Sequence, residues 1–174
     1  MKVEKVLTGV LEENCYVISK NNTCIVVDPG ADYPKIKEII GDNKVLGVLI
    51  THSHFDHIGA LRNFLTKRSV KIFKRSNLEE KEYTLGDFTF ECIYTPGHSK
   101  DSVTFYFKEN NTMFIGDFIF KDSIGRTDLP GGDSKEMEQS IEKIKKYSPT
   151  IIIYPGHEEE STLGDEFKNN PFLK

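Results

Sequence analysis

A chain of 174 residues with a formal net charge of −4 predicts one domain over residues 1–174, long enough to bury a core without staples. The acidic balance argues against a broad electropositive face for nucleic acid or anionic lipid, and the positive stretch Lys67, Arg68, Lys71, Lys74 and Arg75 reads as a solvated helix end and strand. Three cysteines, Cys15, Cys24 and Cys92, contain no CxxC pair, so neither a disulfide framework nor a zinc–thiolate knot is indicated and they read as small core residues. Glu4, Lys5, Glu12 and Glu13 interrupt the N-terminal segment, and no apolar run approaches membrane-spanning length, so the expectation is a soluble cytoplasmic protein.

Lys2 to Val10, Asn14 to Ser19 and Thr23 to Val27 read as strands, the last two joined by a polar turn at Asn21 and Asn22. Asp28-Pro29-Gly30 ends the third. Asp28 then stands at a strand exit, either as a turn-forming carboxylate or as a group that orients metal ligands through hydrogen bonds. Tyr33 to Ile40 predicts a short helix with Pro34 in its first turn, Ile36, Ile39 and Ile40 on one face, and Gly41 past its end.

The apolar run Val45 to Ile50 predicts a buried strand that opens into Thr51-His52-Ser53-His54-Phe55-Asp56-His57, four metal-type ligands within six residues. In an extended segment alternate side chains share a side, so His52 and His54 can grip one ion. Asp56 and His57, where the chain turns towards a helix over Ile58 to Leu65, face a neighbouring point. That pattern is a split site for two metals. Imidazole suits zinc and iron, and a carboxylate among imidazoles is typical of catalytic rather than closed structural sites.

Val70 to Phe73 reads as a strand, and Tyr83 to Tyr94, turning at Gly86-Asp87, as a hairpin that ends in Thr95-Pro96-Gly97-His98. Val103 to Phe107 and Thr112 to Ile115 form another hairpin, whose second strand exits at Gly116-Asp117. After a loop rich in Gly, Asp and Pro, Asp133 and Glu136 predict a capping box for an amphipathic helix carrying Met137, Ile141 and Ile144. The strand Thr150 to Tyr154 leads to Pro155-Gly156-His157. His52, His54, Asp56, His57, His98, Asp117 and His157 thus all lie at or just beyond strand ends, and all five histidines of the chain belong to the set.

These residues resemble the metallo-β-lactamase-fold hydrolases, and more narrowly their glyoxalase II-like (hydroxyacylglutathione hydrolase-like) branch. The resemblance is carried by Val26-Val27-Asp28-Pro29-Gly30, the THSHFDH cluster, Thr95-Pro96-Gly97-His98, Gly116-Asp117, the loop from Ile124 to Asp133, Pro155-Gly156-His157 and Asn170-Pro171-Phe172-Leu173. It implies an α/β fold, an αββα sandwich of two mixed sheets, with metals in a cleft along the sheet edges. By analogy His52, His54 and His98 would hold a first ion, Asp56, His57 and His157 a second, with Asp117 bridging them and Asp56 also orienting the attacking hydroxide. The implied cofactors are two divalent ions, zinc first, with iron or manganese as alternatives.

The implied reaction is hydrolysis of a small-molecule acyl thioester in the cytoplasm, with no nucleic-acid or membrane partner and an oligomeric state left open. A mononuclear iron persulfide dioxygenase, a lactone hydrolase and a non-catalytic metal-binding protein are the rival readings on the same scaffold. Zinc β-lactamases usually carry Cys where Asp117 stands, which argues against antibiotic hydrolysis. Three departures from the branch stand out. No helical glutathione-binding domain is expected after Lys174; the segment between Phe73 and Tyr83 is short, which is expected to open one wall of the cleft; and Glu158-Glu159-Glu160 follow the last histidine, as a solvated run or as a border of the cleft.

Overall fold

Strands that are apolar on both faces must be covered on both faces, which is the condition the third and fourth strands impose on any fold of this chain. The computed structural model, which describes residues 1–66 and 69–174, meets it with two sheets packed face to face and helices on the outer surfaces. The first sheet comprises β1 (Lys2–Thr8), β2 (Glu13–Lys20), β3 (Thr23–Val27), β4 (Lys44–Leu49) and β5 (Lys71–Phe73) in that spatial order. Its first three strands form the antiparallel meander expected from the turn residues, whereas β3, β4 and β5 run parallel. The crossovers of these parallel pairs carry α1 (Tyr33–Ile40), then α2 (Phe55–Ile58) and α3 (Arg62–Leu65).

The second sheet uses β6 (Glu82–Leu85), β7 (Phe88–Tyr94), β8 (Val103–Phe107) and β9 (Thr112–Gly116). A small hairpin of β10 (Ile119–Phe120) and β11 (Ser123–Ile124) and the helix α4 (Ser134–Ile144) follow, and then β12 (Ile152–Pro155), β13 (Ser161–Thr162) and α5 (Leu163–Asn169). Its order is β13-β12-β9-β8-β7-β6, with only β12 and β9 parallel. The αββα sandwich predicted from the sequence is therefore present.

Three layers of apolar contact hold it. Between the sheets, Tyr16, Ile18, Ile25 and Leu49 meet Phe88, Phe90, Phe105, Phe107 and Phe114; each buried phenylalanine contributes about 1.5–3 kcal/mol of transfer free energy. Outside the first sheet, Ile36 and Ile40 of α1 and Phe64 of α3 cover Val17, Val26 and Val48. Outside the second, Met137, Ile141 and Ile144 of α4 cover Ile115 and Ile153. The three cysteines are buried and form no disulfide, as expected of small core residues.

Several local expectations need correction. The helix predicted over Ile58 to Leu65 starts earlier, at Phe55, and is interrupted after Ile58, because the Ala60 N–H donates to the Pro29 carbonyl at 2.9 Å instead of continuing the helical ladder. Asp133 does cap α4, accepting from the Lys135 and Glu136 N–H groups, but the reciprocal half of the box is absent. The Asp133 N–H donates to the Gly97 carbonyl, which ties α4 to the loop before His98. The hairpin β10–β11, the edge strand β13 and helix α5 were not foreseen, since segments of two to seven residues give too little periodicity to read.

Lys67 and Arg68, part of the positive stretch noted in the sequence, lie outside the described residues. Arg75 stacks over the Tyr94 ring at 3.5 Å. Among the described residues no helix is long and apolar enough to cross a membrane.

Candidate metal centre

The seven residues singled out in the sequence converge on one edge of the sandwich, and the backbone around them explains how. At the exit of β3, Asp28 takes a positive φ of 46°, which an aspartate tolerates, and turns its carboxylate under the next strand. There it accepts the Thr51 N–H at 2.7 Å and also the Thr51 hydroxyl. His52 and His54 leave β4 in extended conformation, and α2 places Asp56 and His57 within a single helical turn. Thr51 also accepts the Val103 N–H at 2.8 Å, joining the two sheets beside the cluster.

His98 is fixed from two sides: the Pro96 carbonyl accepts from the Ser140 hydroxyl of α4, and His98 Nδ1 lies 2.8 Å from the Arg126 carbonyl. Asp117 follows Gly116, whose φ of 53° turns the chain out of β9. His157 follows a register shift between β12 and β9 at Pro155. The Pro155 carbonyl there accepts from Asn14 Nδ2 and the Tyr16 hydroxyl of β2.

The ligand-type atoms form overlapping groups whose members all lie within 4.8 Å of one another: His52, His54 and His98; His52, His57 and Asp117; Asp56, His57 and His157. His54 Nδ1 sits 3.1 Å from His52 Nε2 and 2.9 Å from His98 Nε2. Asp56 Oδ2 is 3.3 Å from His157 Nε2 and 3.8 Å from His57 Nε2. Asp117 stands between the halves, with Oδ1 3.3 Å from His57 Nε2 and Oδ2 3.5 Å from His98 Nε2 and 3.7 Å from His157 Nε2.

Hydrogen bonds on the far side of each ring orient it. The Arg126 carbonyl can only accept, so His98 carries its proton on Nδ1 and turns the Nε2 lone pair inwards. His57 Nδ1 faces Asp28 Oδ2 at 3.1 Å and His52 Nδ1 faces the Thr51 hydroxyl at 3.2 Å, so both present Nε2 to the centre in the same way. Asp28 is therefore an orienting carboxylate as well as a turn residue.

Electrostatics divide the cluster. Burial, followed by the neighbouring imidazoles, holds His52 well below its ordinary pKa, and burial and His98 lower His54; both stay neutral, the form that can donate a lone pair. Burial opposes charge on His57 too, but the Asp117 and Asp28 carboxylates facing its two nitrogens raise it well above its ordinary value. The Asp56 contact raises His157 against burial. Burial disfavours ionised Asp117, but His57 first and then His157 and His98 keep it lowered on balance; burial likewise works against Asp56, and His157 outweighs it. The centre thus favours positive charge at the point between Asp56, His57 and Asp117.

The residues fit a bound metal cation. His57 Nε2 and Asp117 Oδ1 are fully buried yet lack a hydrogen-bond partner, the 3.3 Å between them being too poorly aligned for one. Two such orphaned acceptors at one point would cost a few kcal/mol unless a cation satisfied them. A Cβ on Gly156 would stand 2.2 Å from Asp117 Oδ1 and 2.5 Å from His57 Cε1, so this position requires glycine to keep the ligands close.

One participant escaped the sequence reading. Glu13, fully buried at the start of β2, accepts from the Thr8 hydroxyl at 2.7 Å and holds its unpartnered Oε1 3.8 Å from His57 Nδ1. In the sequence it is only a charge beside an apolar run. The fold alone brings it opposite Asp28 and His57.

Above the ligands lies a cleft of about 660 Å³, bordered by Leu11 of the β1–β2 turn, Phe55, and the segment from Phe120 to Pro130. The short segment after Phe73 does not form a wall of it; Leu78 packs into the core, and Lys74 to Ser76 border a separate cavity with Ile50, Ser53 and Asp101. Glu158 to Glu160 are exposed and do not line the cleft either; Glu159 pairs with Lys121 at 3.2 Å and Glu160 lies 3.9 Å from Lys5.

Comparison with known proteins agrees with this architecture. The metallo-beta-lactamase superfamily matches residues 8–81 and 76–157, in two segments that overlap between Phe73 and Tyr83. A probable metallo-hydrolase of Bacillus subtilis, YqgX, is 30% identical over 99% of this chain and 98% of its own. The hydroxyacylglutathione hydrolase GloC of Haemophilus influenzae is 29% identical over 99% and 98%. Among solved structures, BLEG-1, described as a B3 metallo-beta-lactamase, superposes with a TM-score of 0.94 at 30% identity, covering 99% of both chains. TTHA1623, crystallised in a di-iron-bound form, gives 0.88 at 30%, covering 98% of this chain and all of its own. With ligand-bearing strand ends gathered on one edge of an αββα sandwich and a family match over most of its length, the chain belongs to the metallo-β-lactamase superfamily.

Proposed function

We propose that the protein is a binuclear metal-dependent hydrolase of acyl thioesters. The observation that carries this reading is Asp117, whose two oxygens face the two halves of the ligand set, with one of them buried and unpartnered. His52, His54 and His98 would hold one ion, Asp56, His57 and His157 the other, and Asp117 both. Two divalent ions in such a site, zinc or iron, supply an activated water and polarise a carbonyl. The likeness to a hydroxyacylglutathione hydrolase supports the thioester as substrate, and the likeness to a di-iron protein supports occupancy by two ions.

The residues of the chain define the rest of the work. Asp28 and the Arg126 carbonyl hold His57 and His98 in the tautomer that leaves Nε2 free. Asp56, on the cleft floor beside His157, would also orient the attacking water.

Metal analysis and a hydrolysis panel on one preparation test the proposal. Close to two ions per chain and turnover of thioesters in preference to lactones are expected. One tightly held ion after incubation with excess metal, together with oxygen consumption on a persulfide, would replace this reading with the dioxygenase. A chromogenic cephalosporin belongs in the panel because of the 0.94 TM-score to a protein described as a metallo-beta-lactamase; its hydrolysis in preference to every thioester would favour that second reading.

A further inference from the structure

The cleft has a polar floor and apolar walls. His54, Asp56, His98, Asp117 and His157 form the floor, while Leu11, Phe55, Phe120, Ile124, Leu129 and Pro130 rise around it. Phe55 is 74% exposed and Leu11 50% exposed, and Val10, next to Leu11 at the tip of the β1–β2 turn, is 97% exposed. Two large apolar side chains left in water at the mouth of one cavity, with a third beside them in sequence, are out of keeping with an ordinary surface and mark a place where apolar surface becomes covered. Phe120 meets the His157 ring edge-on at 6.2 Å, so the apolar wall begins beside the candidate ligands; Ser123 and Arg126 are the polar side chains among its lining.

Charge points the same way. The only cationic side chain bordering the cleft among the described residues is Arg126, and its guanidinium is already held by Asp128 through two bonds of 2.7 Å. Lys121, nearby, is paired with Glu159. A carrier thiol with carboxylates or phosphates would find no unengaged cation among these side chains, whereas a neutral chain would find apolar contact at Phe120, Ile124 and Leu129.

Resting on the thioesterase reading above, we propose that the substrate is an uncharged thioester bearing an apolar chain of several carbons, and that this chain lies along Phe120, Ile124 and Leu129 beneath Leu11 and Phe55. The contacts described do not depend on whether the chain is attached through the acyl carbon or through sulfur, so the test must separate the two. Each further methylene buried against such walls should raise kcat/KM by about threefold until the cleft is filled.

The experiment uses the metal-loaded protein with acetyl, butyryl, hexanoyl, octanoyl and lactoyl esters of N-acetylcysteamine, and in a second arm acetyl esters of ethane-, butane- and octanethiol. A rise along the first series places the chain on the acyl side, a rise along the second on the sulfur side, and either supports the proposal. Leu129→Ser and Leu11→Ser should each flatten the rising series, lowering the ratio of the longest to the shortest ester by about tenfold.

Calorimetry with non-hydrolysable ketone analogues, in which methylene replaces sulfur, reads the cleft without chemistry. Affinity that climbs with chain length while no thioester turns over would keep the apolar site and reject the thioesterase reading. Measurable turnover with level kcat/KM and level affinity in every series would reject the apolar site and keep the thioesterase. Dimerisation abolished by Leu11→Ser, with no chain-length dependence of binding, would reassign the apolar rim to a contact between two copies of the chain.

Discussion

Asp28 Oδ2 lies 3.1 Å from His57 Nδ1, and the same carboxylate is pinned by both donors of Thr51, so the orientation of one imidazole of the candidate metal centre is set from the end of β3. Asp28→Asn tests this without disturbing the turn, because asparagine accepts the positive φ found there. Its amide N–H₂ can face Nδ1 and drive the ring proton onto Nε2, the atom turned to the centre. Loss of an orienting partner typically costs 10–100-fold in metal affinity, and chelator competition should find that loss confined to one of two ions. Two ions held as tightly as in the unaltered protein would remove Asp28 from this role.

Glu13 predicts a pH dependence of the metal-free protein. Burial raises its carboxyl from 4.5 to about 9, so the folded chain binds this proton more tightly than the unfolded chain. The resulting stabilisation is complete below about pH 4.5 and is lost progressively as the pH rises towards about 9. Glu13→Gln removes the ionisation and keeps the shape. It should lie within about 1 kcal/mol of the original protein at pH 5 and be more stable by about 4–5 kcal/mol at pH 8, a melting temperature about 10–20 °C higher at this chain length. Identical melting curves at both pH values would show that the Glu13 carboxyl is not protonated in the fold.

The position of Asp117 between the two halves of the ligand set predicts unequal consequences for two substitutions. Asp117→Asn should weaken both ions and reduce hydrolysis by more than about a hundredfold. His157→Ala would remove a candidate ligand from one half only, so its activity should recover on adding metal. Elemental analysis and rates measured against added metal distinguish the two; small and equal losses would mean that the ligand set is wrongly drawn.

Arg126 and Asp128 neutralise each other at the rim of the cleft, with Arg126 lowering the Asp128 carboxyl to about 2. S-lactoylglutathione should therefore be turned over with poor saturation, and a neutral thioester of the same acyl group comparably or better. Asp128→Asn frees the guanidinium and should lower KM for the glutathione ester by about two- to fivefold, an advantage that salt removes. A low KM in the unaltered protein, insensitive to salt, would instead reveal a glutathione site elsewhere.

What the sequence by itself determined was the candidate ligand set and the strands that carry it. Buried strands at 45–50, 112–115 and 150–154 advertise themselves through continuous apolar runs, and histidine or aspartate at the exit of each is legible because few other roles gather those residue types at strand ends. The helix α4 was equally plain, with its Asp133 cap and apolar spacing. Tertiary structure decided everything that depends on a second segment arriving from elsewhere. The Pro29 carbonyl divides the helix after the histidine cluster; the Gly97 carbonyl occupies the N–H that a capping box would have used. Glu13 becomes a partner of His57 only because β2 lies beside β3, and Phe120 to Pro130 become a cleft wall only because β10 and β11 fold back over Asp117. Local propensity and spacing act within a few residues, whereas burial, orphaned acceptors and the shape of a cleft are properties of surfaces brought together across more than a hundred positions of the chain.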